Sequence, residues 1–353
     1  MKYIHGGDVY THEGMLDFSA NINPLGPSEM VVWAARDAVS KMDRYPDPQC
    51  RRLRDAVAAV IQTRGEYLVF GNGAADLIFT LVLAEKPKKA LLLAPAFEEY
   101  KQALQAVDCE IIYFPLFEED HFSLSERYLE CLNEDIDIIF LCVPANPVGN
   151  VIEKELLIKI LEKCKKYRIR MVVDECFYEF LDNWQEATLH REAEMNSELF
   201  VLRAFTKVHA MPGIRLGYGL CRDQALLTKM EAVRQPWGVS VVAQAAGTAA
   251  VYETDRVART RELIREERQW MTAEFERIGV NYYPPAANFI FMKSDYDLDE
   301  ALKEQHILIR DCSNFTGLET GYYRIAVRCR EENQKLLTAL EYIYGSPVRP
   351  VNG

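Results

Sequence analysis

The chain has 353 residues, 49% of them hydrophobic and 27% charged, a globular composition that excludes disordered, collagen-like and coiled-coil architectures. Its 53 acidic residues against 41 basic ones leave a formal charge of −12, so the average surface repels nucleic acid and anionic lipid, and an anionic substrate needs a local cluster of Arg, Lys and backbone N–H groups. Nine cysteines without a C-x-x-C pair read as buried free thiols, and neither a membrane span nor a signal-peptide stretch is visible, so a cytoplasmic location is expected.

In chain order, residues 1–34 fit neither a helix nor an inner strand, because Asn21-Ile22-Asn23-Pro24-Leu25-Gly26-Pro27 is turn chemistry. They are expected to form an arm running between two domains. Residues 35–238 alternate short apolar runs with amphipathic ones, the pattern of β–α units. Strands are expected near 67–70, 90–94, 110–114, 137–143, 170–174, 199–203 and 215–220, with helices near 75–83, 98–106 and 154–166. The fold class is therefore α/β, with a seven-stranded, mostly parallel sheet in a large domain. Residues 239–353 open with one long helical stretch from about Val241 to Ile278. Strands near 288–292, 307–309 and 322–327 and a helix near 332–344 follow, which makes a smaller α+β domain.

Parallel sheets bind ligands at the carboxyl ends of their strands, and the chemically capable residues fall there. Lys207 follows the strand near 199–203 and enters a Pro-Gly turn. Asp174 ends the apolar strand Met171-Val172-Val173, where a carboxylate needs a cationic or proton-donating partner. Asn146 sits between Pro144 and Pro147 after another strand, and Gly71-Asn72-Gly73-Ala74-Ala75 opens a helix whose free N–H groups suit a phosphate. Arg215 lies eight residues past the lysine. An amine, a buried acid, a fixed amide and an anion cup are what pyridoxal 5'-phosphate requires: an amine to bond its aldehyde, an acid for the pyridine nitrogen, a donor to the ring oxygen and a seat for the phosphate. The glycine loop matches neither a dinucleotide fingerprint nor a Walker loop.

Further stretches carry a family resemblance: His5-Gly6-Gly7, Asp17 through Gly26, Arg44-Tyr45-Pro46-Asp47, Asp174-Glu175-Cys176-Phe177, Thr206-Lys207, Pro212 through Tyr218, Ile307 through Arg310, and Tyr323-Arg324. With these the chain resembles the fold type I pyridoxal-phosphate enzymes of the histidinol-phosphate aminotransferase branch, in the class I/II aminotransferase superfamily, and within it the threonine-phosphate decarboxylases. The resemblance implies that Lys207 carries the cofactor, Asp174 pairs with its pyridine N–H, Asn146 binds the ring oxygen and Phe97 stacks on the ring. It gives the cofactor phosphate to Gly73, Ala74, Thr206 and Arg215, and implies a homodimer in which Tyr45 reaches the neighbouring subunit's phosphate. For the substrate it implies Arg324 at the carboxylate, with Arg310, Arg328, His5, Asn23, Gly26 and Asn146 around it.

The reaction implied is a PLP-dependent decarboxylation of an O-phosphorylated amino acid, threonine phosphate to aminopropanol phosphate, as in cobalamin synthesis. Aminotransferases of the branch usually carry tyrosine three residues after the pyridine-binding aspartate; this chain has Phe177, followed by Tyr178. The alternative is an aminotransferase of the histidinol-phosphate or aromatic type using 2-oxoglutarate, and a third class is a non-catalytic binding module. The six histidines show no metal-ligand spacing, so no metal is expected. His209 reads as a structural polar contact, and the Glu98-Glu99 and Glu118-Glu119-Asp120 runs as solvated surface. Ala204 removes a hydroxyl that relatives place near the phosphate.

Overall fold

The computed structural model describes residues 5–345; positions 1–4 of the expected arm and 346–353 of the C-terminal unit lie outside the described residues. Thirteen strands are present among the described residues: β1 Leu16–Asp17, β2 Leu68–Gly71, β3 Lys89–Ala94, β4 Glu110–Pro115, β5 Ile138–Cys142, β6 Arg170–Asp174, β7 Leu199–Ala204, β8 Gly217–Leu220, β9 Asn281–Tyr282, β10 Phe289–Lys293, β11 Ile307–Leu308, β12 Arg310–Asp311 and β13 Tyr322–Ala326. β2 to β8 form one seven-stranded sheet in the order β2-β8-β7-β6-β5-β3-β4. Only β8 runs against its neighbours, β2 and β7; the other pairings are parallel.

Parallel strands buried on both faces read as continuous apolar runs, and β5 and β7 are buried at every position. Alternate side chains feed two cores: Ile138 and Phe140 enter one, Ile139 and Leu141 the other. The expected strands are all present. The differences are at their ends, most at β8, which starts at Gly217 rather than 215 because Arg215 takes a left-handed φ of 59°.

The helical stretch from Val241 differs more. It is two helices, Val241–Ala250, capped by the Ser240 side chain, and Thr254–Ile278. The second restarts at Thr254-Asp255, whose acid suits the positive end of a new helix dipole. A further helix, Glu29–Val39, begins inside the turn-rich N-terminal segment, where Ser28 Oγ accepts from Val31 N–H at 3.2 Å.

The second sheet is antiparallel, in the order β12-β13-β10-β9, and β1 pairs in parallel with β11. The N-terminal segment thereby touches both sheets' surroundings. Ala326 N–H donates to Phe18 O at 2.7 Å, and Asn23 N–H donates to Lys207 O at 3.1 Å. No described helix is long and apolar enough to cross a membrane.

Candidate active site

Because six strands of the large sheet point the same way, the loops after β2, β3, β5, β6 and β7 meet at one edge. β8 runs oppositely, so the residue that joins them from it, Arg215, precedes its first residue rather than following its last. These loops line a cavity of about 250 Å³.

Lys207 lies in the loop after β7, which is tightened by bonds from Ala210 N–H to Lys207 O and from Met211 N–H to Thr206 O, both 3.2 Å. Its Nζ is 5.2 Å from the Phe177 ring centroid. Burial, and then the charges of Arg324 and Arg215, push its pKa down to about 8.

Asp174 ends β6 and is 5% exposed. Its Oδ1 accepts from Cys176 N–H at 2.9 Å and its Oδ2 from the Tyr100 hydroxyl at 2.7 Å. Burial raises the carboxyl pKa, and these donors oppose the rise. The Tyr100 ring is fully buried, stacked on Phe140 with centroids 4.8 Å apart. Among the protein's own groups, the Tyr100 phenol is thus a proton-donating partner of the acid.

The anion cup forms where β2 hands over to the helix Ala74–Glu85. Gly73 has φ +90°, a conformation that favours glycine, and a Cβ there would make the Arg215 guanidinium shift away from the helix start. Ala74, Phe97, Thr206 and Arg215 all line the cavity.

The opposite wall comes from the second sheet and the N-terminal segment. Arg310 on β12 and Arg324 on β13 are register partners and both line the cavity. Arg324 donates to Asn146 Oδ1 and, at 3.3 Å, to Ser19 O, while its Nε has no partner. Burial pulls its pKa down to about 10. His5 reaches the same wall, with Nδ1 3.4 Å from Glu99 Oε1.

Ten sequence-predicted residues thus line one cavity: Ala74, Phe97, Asn146, Asp174, Thr206, Lys207, Arg215, His5, Arg310 and Arg324. Gly73 borders it through Arg215. Four others are placed elsewhere. The Asn23 side-chain amide donates to Val208 O at 2.6 Å and Thr260 Oγ1 at 2.9 Å, bracing the loop rather than facing the cavity. Gly26, at φ +68°, offers its carbonyl to Arg256. Arg328 donates to Asp17 O at 2.9 Å and pairs with Glu332 at 2.7 Å. Tyr45 is 76% exposed and stacks on Trp237.

Some expectations are corrected. Glu98 and Glu99 are not solvated surface: Glu98 accepts from Thr316 N–H at 3.1 Å, and both line the cavity. The Glu118-Glu119-Asp120 run does lie at the surface, but Glu118 also accepts from Lys293, Tyr283 and Tyr322, whose hydrogen bonds pull its pKa to about 2. His209 stacks on Phe205 at 5.3 Å, and burial pushes its pKa to about 4, so its environment is aromatic packing. All nine cysteines are free, but Cys131 and Cys329 are only partly buried.

Sequence reasoning missed Tyr100, Glu99 and Asn21. Tyr100 stands one helical turn after Phe97, a spacing that could have exposed it. Asn21 is 1% exposed, lines the cavity and has both side-chain polar atoms without a partner; only its burial reveals it.

The aminotransferase class I and II family matches residues 13–343. The chain belongs to that family. It is 36% identical to a threonine-phosphate decarboxylase of Salmonella typhimurium, over 96% of each chain. It is 31% identical to a histidinol-phosphate aminotransferase of Symbiobacterium thermophilum, covering 96% of this chain and 94% of that one. The solved histidinol-phosphate aminotransferase of Clostridium acetobutylicum superposes with a TM-score of 0.88 at 28% identity, over 94% of this chain and 99% of the other.

Enzymes of the aminotransferase class I and II family work with pyridoxal 5'-phosphate, and this cavity fits that group. It holds a partly buried amine of lowered pKa, a buried carboxyl with donors fixed on both oxygens, and a guanidinium laid against glycine at a helix start.

Proposed function

We propose that this chain is a PLP-dependent carboxy-lyase that removes CO₂ from an O-phosphorylated amino acid, converting threonine phosphate to aminopropanol phosphate. The observation that carries this reading is the register pair Arg310 and Arg324 on one cavity wall. Two guanidiniums suit a substrate that presents a carboxylate and a phosphate together.

When bound, the cofactor supplies an electron sink for the pair released as a bond to Cα breaks. Lys207 would carry the cofactor; as the free amine its pKa is lowered to about 8, which suits it to move protons near neutral pH. Asp174, held by Tyr100 and Cys176, would pair with the pyridine nitrogen. Asn146 would meet the ring oxygen, Phe97 would cover the ring face, and Ala74, Thr206 and Arg215 would hold the phosphate near Gly73. Arg324 orients the substrate carboxylate, and Arg310 with His5 takes its phosphate. Which bond to Cα breaks is decided by how these two ends are pinned.

Phe177 supports the lyase reading over the aminotransferase one. Its ring packs edge-on to Phe289 at 5.2 Å and brings no hydroxyl to the cavity. Tyr178 does not substitute, because its ring lies 4.0 Å from the Arg203 guanidinium and lines a different cavity. Incubating holoenzyme with threonine phosphate is expected to release CO₂ and aminopropanol phosphate. Keto-acid formation that requires 2-oxoglutarate, without CO₂, would replace this reading with the aminotransferase one, which the match to histidinol-phosphate aminotransferases supports as the lesser reading.

The same reading divides the chain into an arm (1–34), a cofactor unit (35–238) and a C-terminal unit (239–353). It also makes the enzyme a homodimer. Met30 and Trp33, on the helix Glu29–Val39, together with Tyr45 and Trp237, expose apolar surface that a second copy would cover. Sedimentation at micromolar concentration should show twice the chain mass. Nine thiols without a disulfide support a reducing, cytoplasmic setting.

A further inference from the structure

Glu99, beside Glu98, lines the cavity that the two arginines and His5 also line. It lies in the first turn of the helix Glu98–Gln105, directly after Phe97, and lines the cavity with its side chain 15% exposed. Oε1 faces His5 Nδ1 at 3.4 Å. Oε2 is buried and has no hydrogen-bond partner. A buried carboxylate oxygen without a donor is costly when ionised, and a neutral carboxyl in the same place becomes a donor that lacks an acceptor.

The substrate class proposed above brings that acceptor. A phosphate monoester carries a charge of about −2 near neutral pH. An ionised Glu99 would repel it, and a protonated Glu99 would donate to it. We propose that Glu99 is a proton-linked specificity residue: it takes up one proton as a phosphate ester enters the Arg310–His5 end of the cavity, and donates from Oε2 to the ester. The ionised form excludes dianions, so phosphate recognition is coupled to pH. This rests on reading the cavity as the seat of a phosphorylated amino acid.

The groups facing Glu99 come from every wall. They are His5 from the N-terminal segment, Glu98 from its own helix, Lys207 from the loop after β7, and Arg310 and Arg324 from the second sheet. Arg215 and Asp174 line the same cavity. Burial is the largest influence on Glu99 and raises its pKa to about 7, so it titrates in the working range. Burial and Arg310 lower the pKa of His5 below its ordinary value of 6.5. Its charge is thus lost at lower pH than that of Glu99 is gained, and the two titrations separate.

The test is the proton count on binding propyl phosphate, an ester with neither amine nor carboxylate, to cofactor-loaded protein. Calorimetry in two buffers of different ionisation enthalpy gives that count. After correction for the ester's own ionisation, wild type is expected to take up about 0.9 proton at pH 8 and about 0.1 at pH 6. Glu99→Gln, which keeps the shape but cannot titrate, is expected to take up none at either pH. In steady state, wild-type KM for threonine phosphate should rise roughly eightfold from pH 7.5 to 8.5 through Glu99, and the variant's should rise less. No uptake by wild type at pH 8, which needs no variant to observe, overturns the proposal. So does equal uptake by both proteins. Because propyl phosphate undergoes no reaction, failure to release CO₂ from threonine phosphate would count against the lyase reading alone.

Discussion

The hydroxyl of Tyr100 donates a 2.7 Å hydrogen bond to Oδ2 of Asp174, joining residues 74 positions apart in the chain. Asp174 is buried, so each donor it loses moves the balance toward its neutral form. Tyr100→Phe leaves the donors of Cys176 and the more distant charge of Lys207. Thermal stability should fall by about 1–3 kcal/mol, and cofactor affinity should fall on the order of tenfold. A cofactor titration followed by absorbance checks the second figure; an unchanged dissociation constant would remove Tyr100 from the site.

Gly73→Ala puts a Cβ into the Arg215 guanidinium at a backbone φ of +90°. Strain of about 1–3 kcal/mol is expected, together with displacement of the arginine. Pyridoxal 5'-phosphate should lose about a hundredfold in affinity. Pyridoxal, which has no phosphate for the cup to hold, should lose little. Equal losses for the two vitamers would mean that this loop does not seat the phosphate.

Arg324 illustrates a conflict between stability and binding. It is 7% exposed, with Nε unpartnered, and burial holds its pKa down to about 10. Arg324→Met should therefore raise the melting temperature of cofactor-free protein, by about 1–2 kcal/mol in stability. The same change should raise KM for threonine phosphate by roughly a hundredfold or more, since a charged hydrogen-bond partner is lost. A destabilised variant with normal KM would assign Arg324 to the scaffold.

His209 gives a stability effect with a definite sign. Burial lowers its pKa from 6.5 to about 4 in the folded chain, so between these values the unfolded chain binds more protons. Stability then rises with pH through that window and is lost as pH falls from 6.5 toward 4. His209→Gln should flatten this segment, retaining about 3 kcal/mol more than wild type at pH 4 relative to pH 7. Denaturant melts at the two pH values measure it; identical slopes in both proteins would refute the effect.

Much of the fold was legible because β-strand and helix periods are local. β6, Arg170–Asp174, coincides with its expected span, and β3, β4, β5 and β7 lie within one or two residues of theirs. The break between Ala250 and Thr254 was not legible, since Val251-Tyr252-Glu253 contains neither Gly nor Pro to announce a stop. Glu98 and Glu99 were misread for a related reason. Charge in sequence suggests solvent, and only the approach of β12 and β13 turns that helix start into an interior wall.

From the sequence alone came the strand–helix order and the seats of Lys207, Asp174, Asn146 and Gly73 at strand ends. That follows from physics: parallel strands end on one edge, and turn and helix-start residues announce where each one stops. Tertiary structure decided which arginines enter the cavity, that Tyr100 donates to Asp174, and that Glu99 lines the cavity. Those outcomes depend on register between β12 and β13 and on contacts across tens to hundreds of residues. Nothing in a local pattern of residues fixes such a pairing, because it is set by how two sheets and one N-terminal segment pack together.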